Sequence, residues 1–503
     1  MYHSIVKNKF SPLAALILAS FIFNILTLSR DPLPWYDEVF FAGITESFIT
    51  SGEFYQQTEI KLRSEHQMLR YGPVYFFMNA VSIKILGLNP VALRLTNFVF
   101  GLAIFFVFYL ILRREKVEYK VILLSFIIIL FDPTFLYVAA RNSRMELISV
   151  FFALWAVYFL LCKSDAEKNS LHFVFSGILC AISLLTTLRA VLIILPIVII
   201  CGTKVIIDFQ LKNLNKFLIF ITTISIIYLI WIYSAFSGVV EFINYYFVAD
   251  VNLAGKSATG RFLGGNFHVP PYLFPLVIMT FLSIMIIIIK KIKLNLLVIY
   301  ITISILLYFF LVKEEGPYVV LILFHLYLLI IIGYSRVEKK IKKIYKFGLF
   351  IILLFNVCLF TVKNLHLYST WELRDPDTVN QFIQKNIPEH SKVYGDIIYY
   401  YSVINNNSEI KIFNPWRSPE YIEQLIDKFY KFDYVMFSNR SINNRNKYFN
   451  LFSKKYHLQK VASLDIPRNN WIYNKFFSSL DLSKYITVRD FDYSGVIYKR
   501  GSN

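Results

Sequence analysis

Charge is scarce in this 503-residue chain: Asp, Glu, Lys and Arg together make up 17%, against roughly 25% in soluble domains. Glycine and proline number only 18 and 16, and nothing recurs at the roughly 20–50-residue periods of solenoids, so repeat and collagen-like architectures are excluded. The four cysteines, Cys162, Cys180, Cys201 and Cys358, lie within or at the edge of apolar runs. Their spacing fits no zinc motif and none falls in the polar C-terminal third. They read as small buried hydrophobes, not a disulfide framework. There is no HExxH, no phosphate-binding glycine-rich loop and no nucleophile elbow, which argues against an ATP-driven pump.

What is present is apolar. Hydrophobic residues reach 56%, with 49 Phe and 34 Tyr. No soluble globule hides that much apolar surface, and a disordered chain does not carry it. The chain is expected to be a polytopic membrane protein. A hydrocarbon slab of about 30 Å asks for about 20 apolar residues per helix. Candidate spans fall at 11–28, 91–112, 120–138, 146–162, 171–187, 189–206, 217–236, 272–289, 294–312, 317–334 and 346–362. Arg30-Asp31-Pro32, not a small-residue cleavage site, follows the first, so it reads as an uncleaved helix.

Basic residues set the orientation. With the N-terminus inside, the inner loops hold Arg113, Arg114, Lys116 and Lys120, then Lys163 and Lys168, then Lys204, Lys212 and Lys216. Lys290, Lys291 and Lys293 follow, and then Arg336, Lys339, Lys340, Lys342, Lys343 and Lys346. Eleven spans then put the C-terminus outside. The outer segments 29–89, 237–270 and 363–503 are large, and the last alternates strand-like runs with helical ones. The strand candidates are Lys392–Tyr394, Glu409–Phe413, Tyr434–Phe437 and Gly495–Tyr498; Pro419–Tyr430 is helical. The expected fold is thus an α-helical membrane domain over 1–362 and a small extracytoplasmic α/β domain over 363–503. The latter carries 20 Lys+Arg against 14 Asp+Glu, a surplus that suits anionic head groups or an acidic glycan, or simply a solvated surface.

The first outer loop carries the chemistry-bearing stretch. After Trp35-Tyr36-Asp37-Glu38, Phe40, Phe41, Ile44 and Phe48 share one helical face and Gly52 stops the run. Such a helix lies along the interface with Asp37 at its beginning. An acid there serves as N-cap or dipole partner without any catalytic purpose. A second apolar segment, entered through Tyr71-Gly72-Pro73-Val74-Tyr75 and ending at Leu86-Gly87, makes the loop lid-like.

The order of these parts resembles the polyprenyl-phosphate-sugar-dependent glycosyltransferases of the GT-C fold, the branch with protein O-mannosyltransferases, aminoarabinose transferases and Rgt-like enzymes. The resemblance covers 11 to about 335. It rests on Asp37-Glu38, Tyr71-Gly72-Pro73-Val74-Tyr75 and Arg94, then on Asp132-Pro133-Thr134-Phe135-Leu136 and Arg141-Asn142-Ser143-Arg144-Met145-Glu146. Thr186-Thr187-Leu188-Arg189 before Pro196, and Pro270-Pro271-Tyr272, complete it. The resemblance implies transfer of a sugar from a polyprenyl-phosphate carrier to a lipid, glycan or protein hydroxyl, at the outer face of a bacterial-type inner membrane. It makes Asp37 the catalytic base. The chemistry agrees: a lipid phosphate already leaves well, so what remains is to take the acceptor's proton as its oxygen displaces the carrier, inverting the anomeric centre.

Glu38 would orient donor or acceptor. Arg70, Arg141, Arg144, Arg189 and Arg261 are the candidate cationic partners of the phosphate. Glu146 either pairs with Arg141 and Arg144 or matches the family's acid near the second outer turn, and Asp250 matches another acidic position. Departures are visible: Gly72 stands where the aminoarabinose branch has lysine, and Phe40 or Phe41 where it has arginine. An insertion surrounds Arg261. Some relatives bind a divalent ion, and Glu59, Glu65 and His66 offer ligands for one, but no spacing supports a site and a solvated histidine reads better. A secondary transporter or flippase of lipid-linked glycans is the rival reading. It predicts midplane charges and inverted repeats, whereas the ionisable residues here gather at outer helix ends. A non-catalytic membrane partner with a glycan-binding exported domain is the third.

Overall fold

Apolar runs with few helix breakers dictate a helical bundle. The computed structural model describes residues 15, 18–19, 22–60, 71–162, 169–207, 210–244, 271–290, 295–312, 317–413, 419–439, 446–467 and 492–501. A helix at 22–27 precedes α1 (Tyr36–Ser51), α2 (Pro73–Leu86), α3 (Pro90–Arg114) and α4 (Tyr119–Leu130). A π-helical run, Thr134–Ala140, leads to α5 (Glu146–Val157), and α6 (Ser170–Thr186), α7 (Val191–Ile207) and α8 (Leu211–Ala235) follow. The bundle closes with α9 (Phe274–Ile289), α10 (Leu296–Leu311), α11 (Val320–Arg336) and α12 (Lys339–Ser369).

Local chemistry sets the boundaries. Gly52, at φ +76°, ends α1 in the left-handed conformation that a Cβ opposes. Proline opens α2 and α3, and the Asn89 side chain caps α3 by accepting from the Ala92 amide at 2.9 Å. Among the described residues, four helical stretches are long and apolar enough to cross a membrane: Pro90–Arg114, Leu188–Ile207, Leu211–Ala235 and Lys339–Ser369. Shorter apolar helices pack with them.

The centre of the bundle is α11. It is apolar on every side, and each residue from Val320 to Tyr334 is buried, as a helix with no polar face requires. By contrast α8 leaves Leu211, Leu218, Ile226, Ile230 and Tyr233 exposed, the pattern of a lipid-facing helix. One buried polar node binds α4, α11 and α12. The Asp132 carboxylate accepts from the Thr134 and Phe135 amides at 2.6 and 3.2 Å and from the Tyr327 hydroxyl at 2.5 Å. The Asn356 amide donates to that hydroxyl at 3.3 Å and to the Ile128 carbonyl at 3.1 Å.

Beyond α12, a five-stranded sheet forms from β1 (Lys392–Gly395), β2 (Glu409–Ile412), β3 (Tyr434–Ser438), β4 (Gln459–Leu464) and β5 (Gly495–Lys499). Its order is β2-β1-β3-β5-β4, with β1 parallel to β2 and β3, and β5 antiparallel to β3 and β4. The strand β4 is an addition to the sequence reading. This sheet rests on the segment around α1 and the start of α3: Leu33, Val39, Ala42 and Leu93 share one apolar cluster with Tyr399, Tyr400, Ile410 and Met436. The chain beyond α1 also extends the sheet edge, because the Ile412 amide donates to the Thr58 carbonyl at 2.8 Å.

Candidate active site

Asp37 sits in the first turn of α1, but the N-cap is Trp35 and has no side-chain capping bond. Asp37 is thus not the N-cap residue. It remains about one-third exposed and forms an ion pair with the buried Arg144 guanidinium. Arg144 is held from behind by Glu146, with Nη2 at 2.8 Å from Oε1 and Nε at 3.1 Å from Oε2. A two-pronged contact of this kind fixes orientation as well as charge. The turn bearing Arg144 is itself clamped by the Asn97 amide on α3, which donates to the Asn142 and Arg144 carbonyls.

Arg189 completes this group. It lies in the 3₁₀ turn Leu188–Ala190 between α6 and α7, half-buried, and its electrostatic reach includes Glu146. Its guanidinium rests 3.4 Å above the centre of the Tyr318 ring, and that of Arg144 lies 4.8 Å from the same centre. Among the described residues Arg189 makes no ion pair or hydrogen bond. The group thus offers a partly exposed carboxylate, an arginine neutralised by two acids and a second arginine whose donors meet no partner among the described residues. That is the equipment for deprotonating a hydroxyl beside an anion.

Two residues grouped with the site on sequence grounds are occupied elsewhere. Glu38 points about 100° around α1 from Asp37, as consecutive helical residues must, and is fully buried against Arg94. The pair is two-pronged, at 2.7 and 2.8 Å. Arg94 also donates to the Leu28 carbonyl at 2.5 Å, and the Tyr401 hydroxyl donates to Glu38 at 3.4 Å. Glu38 is therefore sealed in a structural pair, with no oxygen turned to a substrate. Arg141, fully buried, donates to the Thr27 hydroxyl at 2.6 Å and faces Asp31 at 3.5 Å. It does not join Arg144, three positions on, because the chain turns between them.

Asp31 is the hub of this second group. Arg374, just beyond α12, donates to it at 2.9 Å, and the neighbouring Arg30 pairs with Asp375 at 2.9 Å. Burial disfavours the charge on Asp31, yet Lys363, Arg141, Arg374 and Arg94 around it bring its pKa down to about 2. Arg70, Asp250 and Arg261, together with Glu65 and His66, lie outside the described residues. Glu59 is buried, and among the described residues no three His, Cys, Asp or Glu side chains cluster as a metal site.

Comparisons with known proteins fit this arrangement. Residues 11–246 match the family model described as dolichyl-phosphate-mannose-protein mannosyltransferase. ArnT from Cupriavidus metallidurans, bound to undecaprenyl phosphate, superimposes with a TM-score of 0.63 at 12% identity, over 98% of this chain and 100% of that one. The chain is thus similar to this mannosyltransferase family over residues 11–246 and shares the fold of ArnT over nearly its whole length. The same enzyme in its apo state gives a TM-score of 0.61 at 12% identity, covering 98% and 99% of the two chains. The Archaeoglobus fulgidus oligosaccharyltransferase, tethered to an acceptor peptide, gives 0.52 at 12% identity, over 86% of this chain and 69% of that one. No curated protein sequence matches the chain.

Within this fold, Gly72 has a local explanation. A Cβ there would lie 1.8 Å from the Leu185 carbonyl oxygen and 2.7 Å from the Leu185 Cα, so only glycine lets α2 start against α6. The lysine that related enzymes place at this point has no room. Tyr318 escaped the sequence reading; the available signal was Gly316-Pro317-Tyr318, a turn entering a wholly apolar span.

Proposed function

We propose that this glycosyltransferase moves a sugar from a polyprenyl-phosphate carrier to a lipid, glycan or protein hydroxyl, with Asp37 as general base. The observation that carries the proposal is the partly exposed Asp37 carboxylate, aligned by Arg144 and set beside the open guanidinium of Arg189. The acceptor oxygen attacks the anomeric carbon and its proton passes to Asp37. The bond from that carbon to the phosphate oxygen breaks, and the electron pair leaves with the phosphate. The anomeric configuration inverts. Arg189, with Arg144 behind it, meets the charge on the departing phosphate, where charge-assisted bonds in a dry site count most. Arg70, Asp250 and Arg261 stay in this proposal as further substrate contacts.

The reading extends to topology. Eleven spans, beginning with 11–28, set the N-terminus in the cytoplasm and the site at the outer face of the inner membrane. This is supported by the basic inner loops and by the presence of Asp37, Arg144, Arg189 and Tyr318 at helix ends of one side. The division into a catalytic part, 1–362, and an extracytoplasmic part, 363–503, belongs to the same proposal. Family and fold favour the enzyme over a transporter or flippase.

The test is the Asp37→Asn protein, purified and shown to melt like wild type, supplied with polyprenyl-phosphate sugars. Transfer is expected to fall at least ~10²-fold, the scale of a lost general base. Transfer near the wild-type rate removes Asp37 from the mechanism.

A further inference from the structure

A guanidinium that makes no ion pair is ordinarily free to sweep many rotamers, and each bond it forms must repay that entropy. Arg189 is an exception by geometry. Its guanidinium carbon lies over the Tyr318 ring, 3.4 Å from the ring centre, and the same centre stands 4.8 Å from the Arg144 guanidinium. Tyr318 has a defined place: it occupies the 3₁₀ turn Pro317–Val319, directly ahead of α11, which is buried from Val320 to Tyr334. Arg144 has its own fixings in Glu146 and Asp37. Arg189 has only the ring among the described residues. A cation over an aromatic face is attracted by the ring quadrupole while its edge donors remain available. The ring therefore does two things: it restrains the open arginine, and it fixes the gap between that arginine and the one gripping Asp37.

We propose that Tyr318 is a positioning residue for the anion of the donor, holding Arg189 at a set distance from the Arg144–Asp37 pair through its ring face and not through its hydroxyl. The inference rests on the reading of Arg189 as a phosphate contact. The ligand class is a phosphate ester carried on a lipid chain, gripped from one side by Arg189 as the sugar leaves. Loss of the ring leaves the charge in place but lets it wander, so binding and transfer fall while the fold stands.

The experiment uses the full-length enzyme in nanodiscs. Binding of bare undecaprenyl phosphate, and transfer from polyprenyl-phosphate sugars, are measured for wild type, Arg189→Ala, Arg189→Lys, Tyr318→Phe, Tyr318→Leu and the Arg189→Lys/Tyr318→Leu double variant. Tyr318→Phe is expected within about threefold of wild type. Tyr318→Leu and Arg189→Lys should each lose about tenfold or more in carrier affinity and in kcat/KM, and the double variant should be little worse than the weaker single one. Tyr318→Phe as impaired as Tyr318→Leu, or a fully additive double variant, overturns the inference. Undiminished carrier binding by Arg189→Ala instead overturns the phosphate-contact reading beneath it. If Arg189→Ala weakens binding and Tyr318→Leu does not, only the positioning role falls.

Discussion

Neighbouring carboxylates in this protein have opposite fates, decided by a rotation of about 100° per residue along a helix. Asp37 faces the turn that carries Arg144 and keeps some contact with solvent; Glu38 faces α3 and has none. The Glu38–Arg94 pair yields a sharp expectation. Arg94→Met or Glu38→Gln leaves one partner buried without its counter-charge and should cost about 3–5 kcal/mol, whereas Glu38→Met with Arg94→Met together should recover most of that loss. Thermal unfolding of the four proteins in one detergent checks it. Gly72→Ala is expected to lower the melting temperature and the folded yield, because a Cβ 1.8 Å from a backbone oxygen must push α2 off α6, at a cost of about 1–3 kcal/mol. The residue scale is also where the sequence was most and least informative. Arg144, Glu146 and Arg189 stand at polar breaks between apolar runs, so their place at helix ends was legible. The split of Arg141 from Arg144 was not, since it depends on which way a five-residue turn folds. Nor was the role of Tyr318, whose partners come from distant parts of the chain.

At the scale of elements, long apolar helices and the C-terminal strands announced themselves through hydropathy and alternation. The edge strand β4 did not: its first three residues are exposed, and Gln459 and Lys460 give it a polar start that reads as loop. The joint between bundle and sheet was equally hidden, because Asp31 and Arg374 are far apart in sequence. That joint has a pH signature. The pKa of Asp31 falls from 3.8 to about 2 on folding. A depressed acid contributes stability that is complete above the unfolded value and disappears as pH drops through the folded one. The contribution is therefore full above about pH 5 and vanishes as pH falls from about 4 towards 2, a total of about 2 kcal/mol. The stability gap between wild type and Asp31→Asn should close across that window in melts recorded at successive pH values. A gap that does not change with pH counts against the electrostatic joint.

For the whole molecule, the segment around α1 carries the proposed base and is also the seat for the sheet. Removing the chain beyond residue 369 would uncover the apolar surface of Leu33, Val39, Ala42 and Leu93. The truncated protein is therefore expected to aggregate on size-exclusion chromatography in detergent and to lose transfer, although Asp37, Arg144 and Arg189 all remain. A monodisperse, active truncation would show that the sheet is dispensable. The bond from the Ile412 amide to the Thr58 carbonyl carries one last consequence. Its acceptor emerges from the ribosome long before its donor, and so does Asp31 before Arg374. During biogenesis the segment around α1 must wait, its apolar face bare, while nearly all remaining helices are threaded into the bilayer. Such late closure of distant contacts is slow and exposes sticky intermediates, so this segment is where a chaperone has most to protect.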